Sequence, residues 1–188
     1  MRVMRWHPLL HPIVASFLLA APGIWSSPAV AAAAAVAIGH ALPEVRLTGL
    51  NGPSRLLSSY RGKALLINVW ASWCGPCRAE TASLERLAWR DESRDFAIIG
   101  VSTDDYRDRA GEWLAQSHAT ISHYIDHDLE LETLLGASRL PLTVLVNARG
   151  EVLDRIYGAQ DWERPEVLAR LRAALQADAR AQRVTPRP

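Results

Sequence analysis

The chain contains only two cysteines, Cys74 and Cys77, and they lie three positions apart at the junction of two differently patterned segments. Residues 64–70 form a nearly continuous apolar run of strand length, which is typical of a strand buried on both faces of a sheet. After the cysteines, apolar residues follow at helical spacing, so a helix is expected to run to about Arg90. The cysteine pair therefore lies where a buried strand is followed by the start of a helix.

The rest of the chain alternates between strand-like and helical patterns. Turn residues at 51–53 and 147–150 each predict a hairpin between two short apolar segments. We expect strands at 96–101, 142–146 and 152–157, and helices at 106–117, 129–135 and 164–176. Strands that alternate with helices and end in a hairpin predict an α/β sandwich.

Residues 1–31 have the pattern of an export signal. Two arginines precede an apolar stretch over residues 9–21, and Ala-Val-Ala at 29–31 fits the small-residue pattern at which signal peptidase cuts. We therefore expect a mature chain that begins near Ala32. An uncleaved N-terminal anchor is the alternative, because residues 9–25 are just long enough to reach across a bilayer. Either interpretation places the domain in the periplasm or elsewhere outside the cytoplasm, where cysteine pairs are commonly oxidised.

The sequence after the signal has the length of one globular domain. Residues 32–38 are an alanine-rich, low-complexity spacer, residues 39–176 are expected to form the domain, and residues 177–188 a flexible tail. The whole chain of 188 residues carries a formal net charge of +1 at neutral pH. Nucleic acid is therefore excluded as a partner, because binding to phosphates needs a clustered basic face.

Residues 73–77, Trp-Cys-Gly-Pro-Cys, have the chemistry of a dithiol that exchanges with disulfides. At a helix N-terminus, unpaired backbone N–H groups and the helix dipole favour a thiolate at Cys74, which is the attacking species. Cys77 lies about one turn further along and is placed to resolve the mixed disulfide that Cys74 forms with a partner. Pro76 is tolerated because the first helical turn needs no hydrogen bond from its backbone nitrogen.

Three other roles for the cysteine pair have weaker support. A zinc site needs four ligands, and the chain has no second cysteine pair and only scattered histidines. Covalent haem needs a histidine directly after the second cysteine, where this chain has Arg78. An inert structural disulfide across so short a loop would constrain the unfolded chain least. We therefore predict no metal, and no cofactor other than the redox-active disulfide between Cys74 and Cys77.

The sequence around the cysteines resembles the thioredoxin superfamily, and within it the exported TlpA/ResA-type proteins. Residues 65–80, Leu-Leu-Ile-Asn-Val-Trp-Ala-Ser-Trp-Cys-Gly-Pro-Cys-Arg-Ala-Glu, are similar to the active-site segment of that group. Residues 140–147 resemble the segment that carries its cis-proline, and residues 158–162 resemble the approach to its last helix. The resemblance implies a thioredoxin-like fold, in which helices flank both faces of a central mixed β-sheet.

The resemblance also implies roles for individual residues. Glu80 matches the carboxylate that the ResA-like subgroup places near both sulfurs, and Asn68 stands where cytoplasmic thioredoxins keep a buried aspartate. A carboxylate that merely favours the helix dipole is the alternative for Glu80. The bond between Leu140 and Pro141 is expected to be cis, with the backbone of Leu140 pairing with an extended partner. The partner-binding residues implied are Trp73, Gly75, Pro76, Leu140 and Pro141.

These features favour an extracytoplasmic thiol–disulfide oxidoreductase that reduces disulfides in exported proteins. The resemblance implies substrates such as the apocytochromes of cytochrome c maturation, and a membrane thiol-electron donor that reduces the protein again. The chain is expected to act as a monomer. One alternative is a thiol peroxidase of the peroxiredoxin type. Peroxiredoxins need a threonine before the reactive cysteine, whereas in this chain Thr81 follows Cys74 and Cys77. A redox-inert chaperone on the same fold is the other alternative.

Overall fold

The computed structural model describes residues 34–90 and 96–184. Its strands are β1 (Arg46–Gly49), β2 (Arg55–Leu56), β3 (Ala64–Trp70), β4 (Phe96–Ser102), β5 (Ser122–Ile125), β6 (Leu142–Val146) and β7 (Val152–Tyr157). Its helices are α1 (Gly75–Ala88), α2 (Arg107–Ser117), α3 (Glu130–Leu135) and α4 (Pro165–Val184). The predicted signal or anchor, residues 1–31, lies outside the described residues. Within the described ranges, no helix is both long and apolar enough to cross a membrane.

The described strands form one mixed sheet in the order β2-β1-β5-β4-β3-β6-β7. β3 is parallel to β4 and antiparallel to β6, and β4 is parallel to β5. The parallel pairs are connected through α1 and α2, because parallel neighbours need a crossover that a tight turn cannot supply. Antiparallel pairing of β7 and of the β1–β2 hairpin completes the two edges. The predicted mixed sheet is confirmed.

Helices cover both faces of the sheet at β3, and each face has its own apolar core. The core on the α3 side contains Leu65, Ile67, Val69, Leu131 and Leu135. The core on the side of α1 and α4 contains Leu66, Leu84, Leu87, Leu168 and Leu171. Each fully buried leucine contributes about 1.5–3 kcal/mol relative to an exposed one, so β3 is strongly held in place. The apolar run at 64–70 thus has the two-sided burial that its pattern predicts.

β5 is a strand that the sequence pattern did not predict. It is four residues long, and two of these residues, Ser122 and His123, are polar, which hides the apolar signal. The strand forms because β4 pairs with it on one edge and β1 on the other. This pairing buries His123, Tyr124 and Ile125.

Residues 177–184 of the predicted flexible tail are helical in the structure. α4 continues past the predicted end at residue 176 as far as Val184. The carboxylate of Asp178 accepts hydrogen bonds at 3.0 Å from both Asn147 and Arg149, at the β6–β7 turn. These contacts tie the part of α4 around Asp178 to the β6–β7 turn, and sequence spacing gives no sign of them.

The predicted spacer at 32–38 also has a defined position where it is described. The N–H of Val36 donates to the carbonyl of Leu134 at 2.9 Å, and the guanidinium of Arg155 donates to the carbonyl of Val36. Val36 packs against the core on the α3 side, because its side chain is larger and more apolar than those of the neighbouring alanines. The folded domain therefore begins before Gly39.

His123 on β5 is a buried histidine in an apolar environment. It is 2% exposed, and its ring lies edge-on to the Trp70 ring at a centroid distance of 5.4 Å. Neither ring nitrogen has a hydrogen-bond partner among the described residues, and Nε2 lies 3.8 Å from Oε1 of Glu85. A Cβ atom at Gly100 would fall 2.0 Å from Nδ1, so the ring occupies space that only glycine leaves open. Burial lowers the pKa of His123, and the Glu85 carboxylate opposes this effect only in part.

We predict that acidification destabilises the protein through His123. Because its pKa is lowered from 6.5, its stabilising contribution is complete above that value and is lost as the pH falls toward the lowered pKa. His123→Leu should therefore flatten the fall in unfolding free energy below about pH 6.5 by up to about 1.4 kcal/mol per pH unit. Urea titrations at several pH values measure the slope, with the exposed His127→Gln as the matched control. Equal slopes for wild type and His123→Leu would contradict the prediction.

Candidate functional site

Cys74 and Cys77 form a disulfide at the first turn of α1, with their Cα atoms 5.3 Å apart. Cys74 is the N-cap residue, and its Sγ accepts a hydrogen bond at 3.2 Å from the backbone N–H of Cys77. The first N–H groups of a helix have no partner within the helix. After reduction, the same N–H and the helix dipole would stabilise a thiolate at Cys74.

The two sulfurs differ in their access to solvent. Cys74 is 5% exposed and Cys77 is 1% exposed. In the disulfide form both cysteines are buried, and Cys74 is the more accessible of the two. Its neighbours Gly75 and Pro76 are exposed, and Trp73 projects into solvent at 71% exposure.

An open groove of about 560 Å³ runs beside the disulfide. Its walls are formed by Trp73, Cys74, Gly75, Pro76, Thr103, Leu129, Glu132 and residues 137–140. Leu129 is exposed and has a left-handed backbone with φ of 54°, which a bulky residue rarely adopts. The groove contains four of the five predicted partner-binding residues. The fifth, Pro141, directly follows the groove residue Leu140 in the chain.

Glu132 is a groove residue that the sequence analysis did not identify. Burial raises its pKa, and the negative charge of Asp126 adds to this effect, while the Thr103 hydroxyl opposes it. It is one of four acidic residues within 126–132, so its sequence context does not distinguish it. The packing of α3 brings it to the groove. No group of three or more acidic, histidine or cysteine side chains in the described ranges is arranged to hold a metal ion.

Glu80 lies one turn after the second cysteine on α1 and is 3% exposed. Its Oε1 accepts a hydrogen bond from Nδ2 of Asn68 at 2.8 Å. Its Oε2 accepts from the backbone N–H of Gln160 at 3.0 Å and from the indole N–H of Trp162 at 3.2 Å. Asn68 also donates to the hydroxyl of Thr143 at 3.0 Å. The carboxylate therefore links β3, α1 and the segment that leads into α4.

Glu80 is not a surface carboxylate, because it is buried and accepts three hydrogen bonds. Burial raises the pKa of Glu80, although the hydrogen bonds from Gln160, Asn68 and Trp162 oppose the shift. The carboxyl group therefore exchanges its proton at a higher pH than an exposed glutamate does, nearer to the range in which thiols react. Asn68 has no proton to exchange in this range and acts as a hydrogen-bond donor to Glu80.

The peptide bond between Leu140 and Pro141 is cis, as the resemblance implies. The carbonyl of Pro141 accepts a hydrogen bond from the N–H of Gly158 at 2.9 Å. Within residues 34–90 and 96–184, neither the N–H nor the carbonyl of Leu140 has a backbone hydrogen-bond partner. Since Leu140 lines the groove with Cys74, its backbone is available to a chain that binds there.

Comparison with known proteins identifies the family. A family model described as Redoxin matches residues 37–171, which is most of the chain. The chain belongs to the Redoxin family. It is 33% identical to a thiol:disulfide interchange protein DsbE from Vibrio cholerae, over 92% of this chain and 97% of that protein. It is 30% identical to a thiol-disulfide oxidoreductase ResA from Geobacillus kaustophilus, over 69% of this chain and 74% of that protein.

Solved structures agree with this assignment. A thiol-disulfide oxidoreductase from Bacteroides fragilis is 25% identical to this Redoxin-family protein and superposes with a TM-score of 0.60. The match covers 72% of this chain and 100% of that chain. The fold is thioredoxin-like, and the protein is a thiol–disulfide oxidoreductase with its disulfide between Cys74 and Cys77.

We predict that Glu80→Gln moves the pH profile of Cys74 alkylation to lower pH, by roughly half to one pH unit, and slows disulfide reduction. Because burial raises its pKa, Glu80 is protonated at low pH and gains its charge as the pH rises, and that charge opposes a thiolate nearby. Glutamine removes both the charge and the proton acceptor. Iodoacetamide alkylation of the reduced protein measures the profile, with the exposed Glu166→Gln on α4 as the control. An unchanged profile would leave Glu80 only as the hydrogen-bond acceptor of Asn68, Gln160 and Trp162.

Proposed function

We propose that this oxidoreductase reduces disulfide bonds of partner proteins outside the cytoplasm. The observation that carries the proposal is the position of Cys74, whose Sγ accepts a helix N-terminal N–H at the wall of an open groove. A thiolate is favoured at that position. The unpaired backbone of Leu140 lines the same groove and can bind an extended segment of the partner, which brings the partner disulfide to the sulfur.

The reaction consists of two exchanges that together move two electrons. The thiolate of Cys74 attacks one sulfur of the partner disulfide, which forms a mixed disulfide and releases the other partner sulfur as a thiolate. Cys77 then loses its proton and attacks Sγ of Cys74. This step forms the bond between Cys74 and Cys77 and releases the second partner sulfur. The two partner thiolates take up protons from solvent, so the partner gains two electrons and two protons, and the dithiol of this protein is oxidised.

We assign proton transfer at Cys77 to Glu80. The two residues are three positions apart on α1, so they lie on the same side of the helix, and both are buried. Burial raises the pKa of Glu80, which makes its carboxylate a stronger base than an exposed one. Glu80 therefore accepts the Cys77 proton during the second exchange and returns it when the pair is reduced again.

The direction of exchange follows from how weakly the site stabilises a thiolate. Gly75 and Pro76 place no cationic side chain between the cysteines, so the stabilisation comes from backbone groups. Burial raises the pKa of both Glu80 and Glu132, and each opposes a second negative charge nearby when it is ionised. A strongly stabilised thiolate makes an oxidant with a potential near about −120 mV, whereas thioredoxin lies near about −270 mV. Because the thiolate of Cys74 is only weakly stabilised, we expect the cysteine pair to act as a reductant.

The partners follow from the groove and from the TlpA/ResA-type resemblance. An extended polypeptide can bind along the backbone of Leu140, so the substrate disulfide belongs to an unfolded or locally extended protein. Apocytochromes in cytochrome c maturation have this character, because they receive haem on free thiols. The oxidised protein needs a dithiol donor to return to the reduced state, and the resemblance favours a membrane thiol-electron transporter.

An extracytoplasmic location is supported by the basic and apolar pattern of residues 1–31. The Ala-Val-Ala motif at 29–31 favours cleavage over retention as an anchor. The mass of the mature chain from its native host distinguishes the two forms.

We predict that the purified domain equilibrates with glutathione as a reductant, with a potential near about −270 mV. Trp73 lies next to Cys74 and is exposed, so its fluorescence reports the redox state of the pair. Titration with glutathione redox buffers of known composition measures the potential. The Cys74→Ser/Cys77→Ser double variant corrects for fluorescence changes unrelated to the disulfide. A potential near about −120 mV would reverse the direction to oxidation.

We predict that Cys77→Ser accumulates mixed disulfides with partners and that Cys74→Ser does not. The reason is that Cys74 forms the mixed disulfide and Cys77 resolves it, in keeping with the greater accessibility of Cys74. Non-reducing electrophoresis of protein from cells that produce each variant measures the trapped complexes. Equal trapping by the two variants would contradict this assignment of roles.

A further inference from the structure

A buried carboxylate that the exchange mechanism does not use lies behind the active-site loop. Asp104 follows β4 and is buried. Its Oδ2 accepts hydrogen bonds from the backbone N–H of Ser72 at 2.8 Å and from the Ser102 hydroxyl at 2.7 Å. Its Oδ1 accepts from the Ser72 hydroxyl at 2.6 Å. The carboxylate is the acceptor in all three contacts, and the three donors stabilise its negative charge.

These hydrogen bonds tie Asp104 to the loop that leads from β3 into Cys74. Ser72 lies two residues before Cys74. The N–H of Thr103, which precedes Asp104, donates to the carbonyl of Trp70 at 2.9 Å. The end of β4 therefore holds the loop at two points. Thr103 also lines the groove beside Cys74.

We propose that Asp104 is a positioning residue that holds this loop, and that its negative charge keeps the cysteine pair reducing. The thiolate of Cys74 exists only in the reduced protein, and a nearby negative charge in a poorly solvated site disfavours it. The charge therefore raises the free energy of the reduced form and makes the dithiol a better electron donor. This inference rests on the proposed reductase function, because it explains why the potential is low.

Other charged groups also surround the cysteine pair. Glu80 lies on the same helix, Glu132 and Arg139 line the groove, and Arg78 is exposed directly after Cys77. Asp104 differs from these groups because its carboxylate is hydrogen-bonded to the loop that carries Cys74. Burial raises the pKa of Glu80 and Glu132. The carboxylate of Asp104 accepts three hydrogen bonds, two from Ser72 and one from Ser102.

The test is Asp104→Asn, which removes the charge and keeps the capacity for hydrogen bonding. The asparagine oxygen can still accept from the Ser72 N–H, and its amide can donate to the Ser72 hydroxyl oxygen. We expect the equilibrium with glutathione to shift toward the reduced protein by about three- to tenfold, with Cys74 alkylation moving to lower pH. The exposed neighbour Asp105 provides the matched control, because Asp105→Asn makes the same charge change outside the network and should leave both readouts unchanged.

A second variant tests the sign of the effect and does not depend on the folding of the first. Ser72→Ala removes one donor and leaves the charge of Asp104 less compensated, so the equilibrium should shift toward the oxidised protein, opposite to Asp104→Asn. The proposal would be overturned if Asp104→Asn had the same glutathione equilibrium and alkylation profile as the wild type. It would also be overturned if both variants shifted the equilibrium in the same direction. If the wild-type protein proves more oxidising than glutathione, the reductase function fails, while the difference between wild type and Asp104→Asn still decides the role of Asp104.

Discussion

Strand β3 is hydrogen-bonded along both edges and buried on both faces, and the location of the reactive groups depends on it. β4 pairs with it in parallel and β6 pairs with it in antiparallel direction, so three neighbouring strand ends meet at one edge of the sheet. The end of β3 leads into Cys74, the end of β4 leads to Asp104, and β6 begins directly after Pro141. Asn68, within β3, reaches across to Glu80 on α1. Residues far apart in sequence thus form one site, because the sheet brings their strand ends together.

The helix N-terminus at that site favours a thiolate, and charged side chains of both signs lie around it. A helix N-terminus stabilises a negative charge by about 0.3–1 kcal/mol at an exposed position and by up to about 2 kcal/mol when partly buried. A shift of one pKa unit corresponds to about 1.36 kcal/mol, so this attraction can lower the pKa of a thiol by at most one to two pKa units. In the proposed mechanism, the negative charges of Glu80 and Asp104 act in the opposite direction, because both carboxylates are buried and poorly screened. In the proposed reductase, the fold would therefore activate Cys74 for attack without making the pair strongly oxidising.

The parts of this molecule that depend on local sequence could be predicted, and the parts that depend on tertiary packing could not. The strand at 64–70, the helix that follows it and the roles suggested for Cys74 and Cys77 follow from apolar spacing and the position of the cysteine pair. Family resemblance predicted the cis bond between Leu140 and Pro141 and indicated Glu80 as a site residue. β5 was missed because its burial comes from its two neighbours. Glu132 and Asp104 stand among other acidic residues in the sequence, and the fold alone distinguishes them.

Gly100 and His123 are opposite each other on the parallel strands β4 and β5, and the histidine ring fills the space above the glycine. A methyl group at position 100 would collide with the ring, so the two positions are not free to vary independently. During evolution, the residue at 123 must become smaller before position 100 can accept a side chain, and the reverse order passes through an overpacked core. Among homologous chains, a glycine at the first position should therefore accompany a bulky ring at the second. The order in which substitutions accumulate at this pair is set by the packing of a single imidazole.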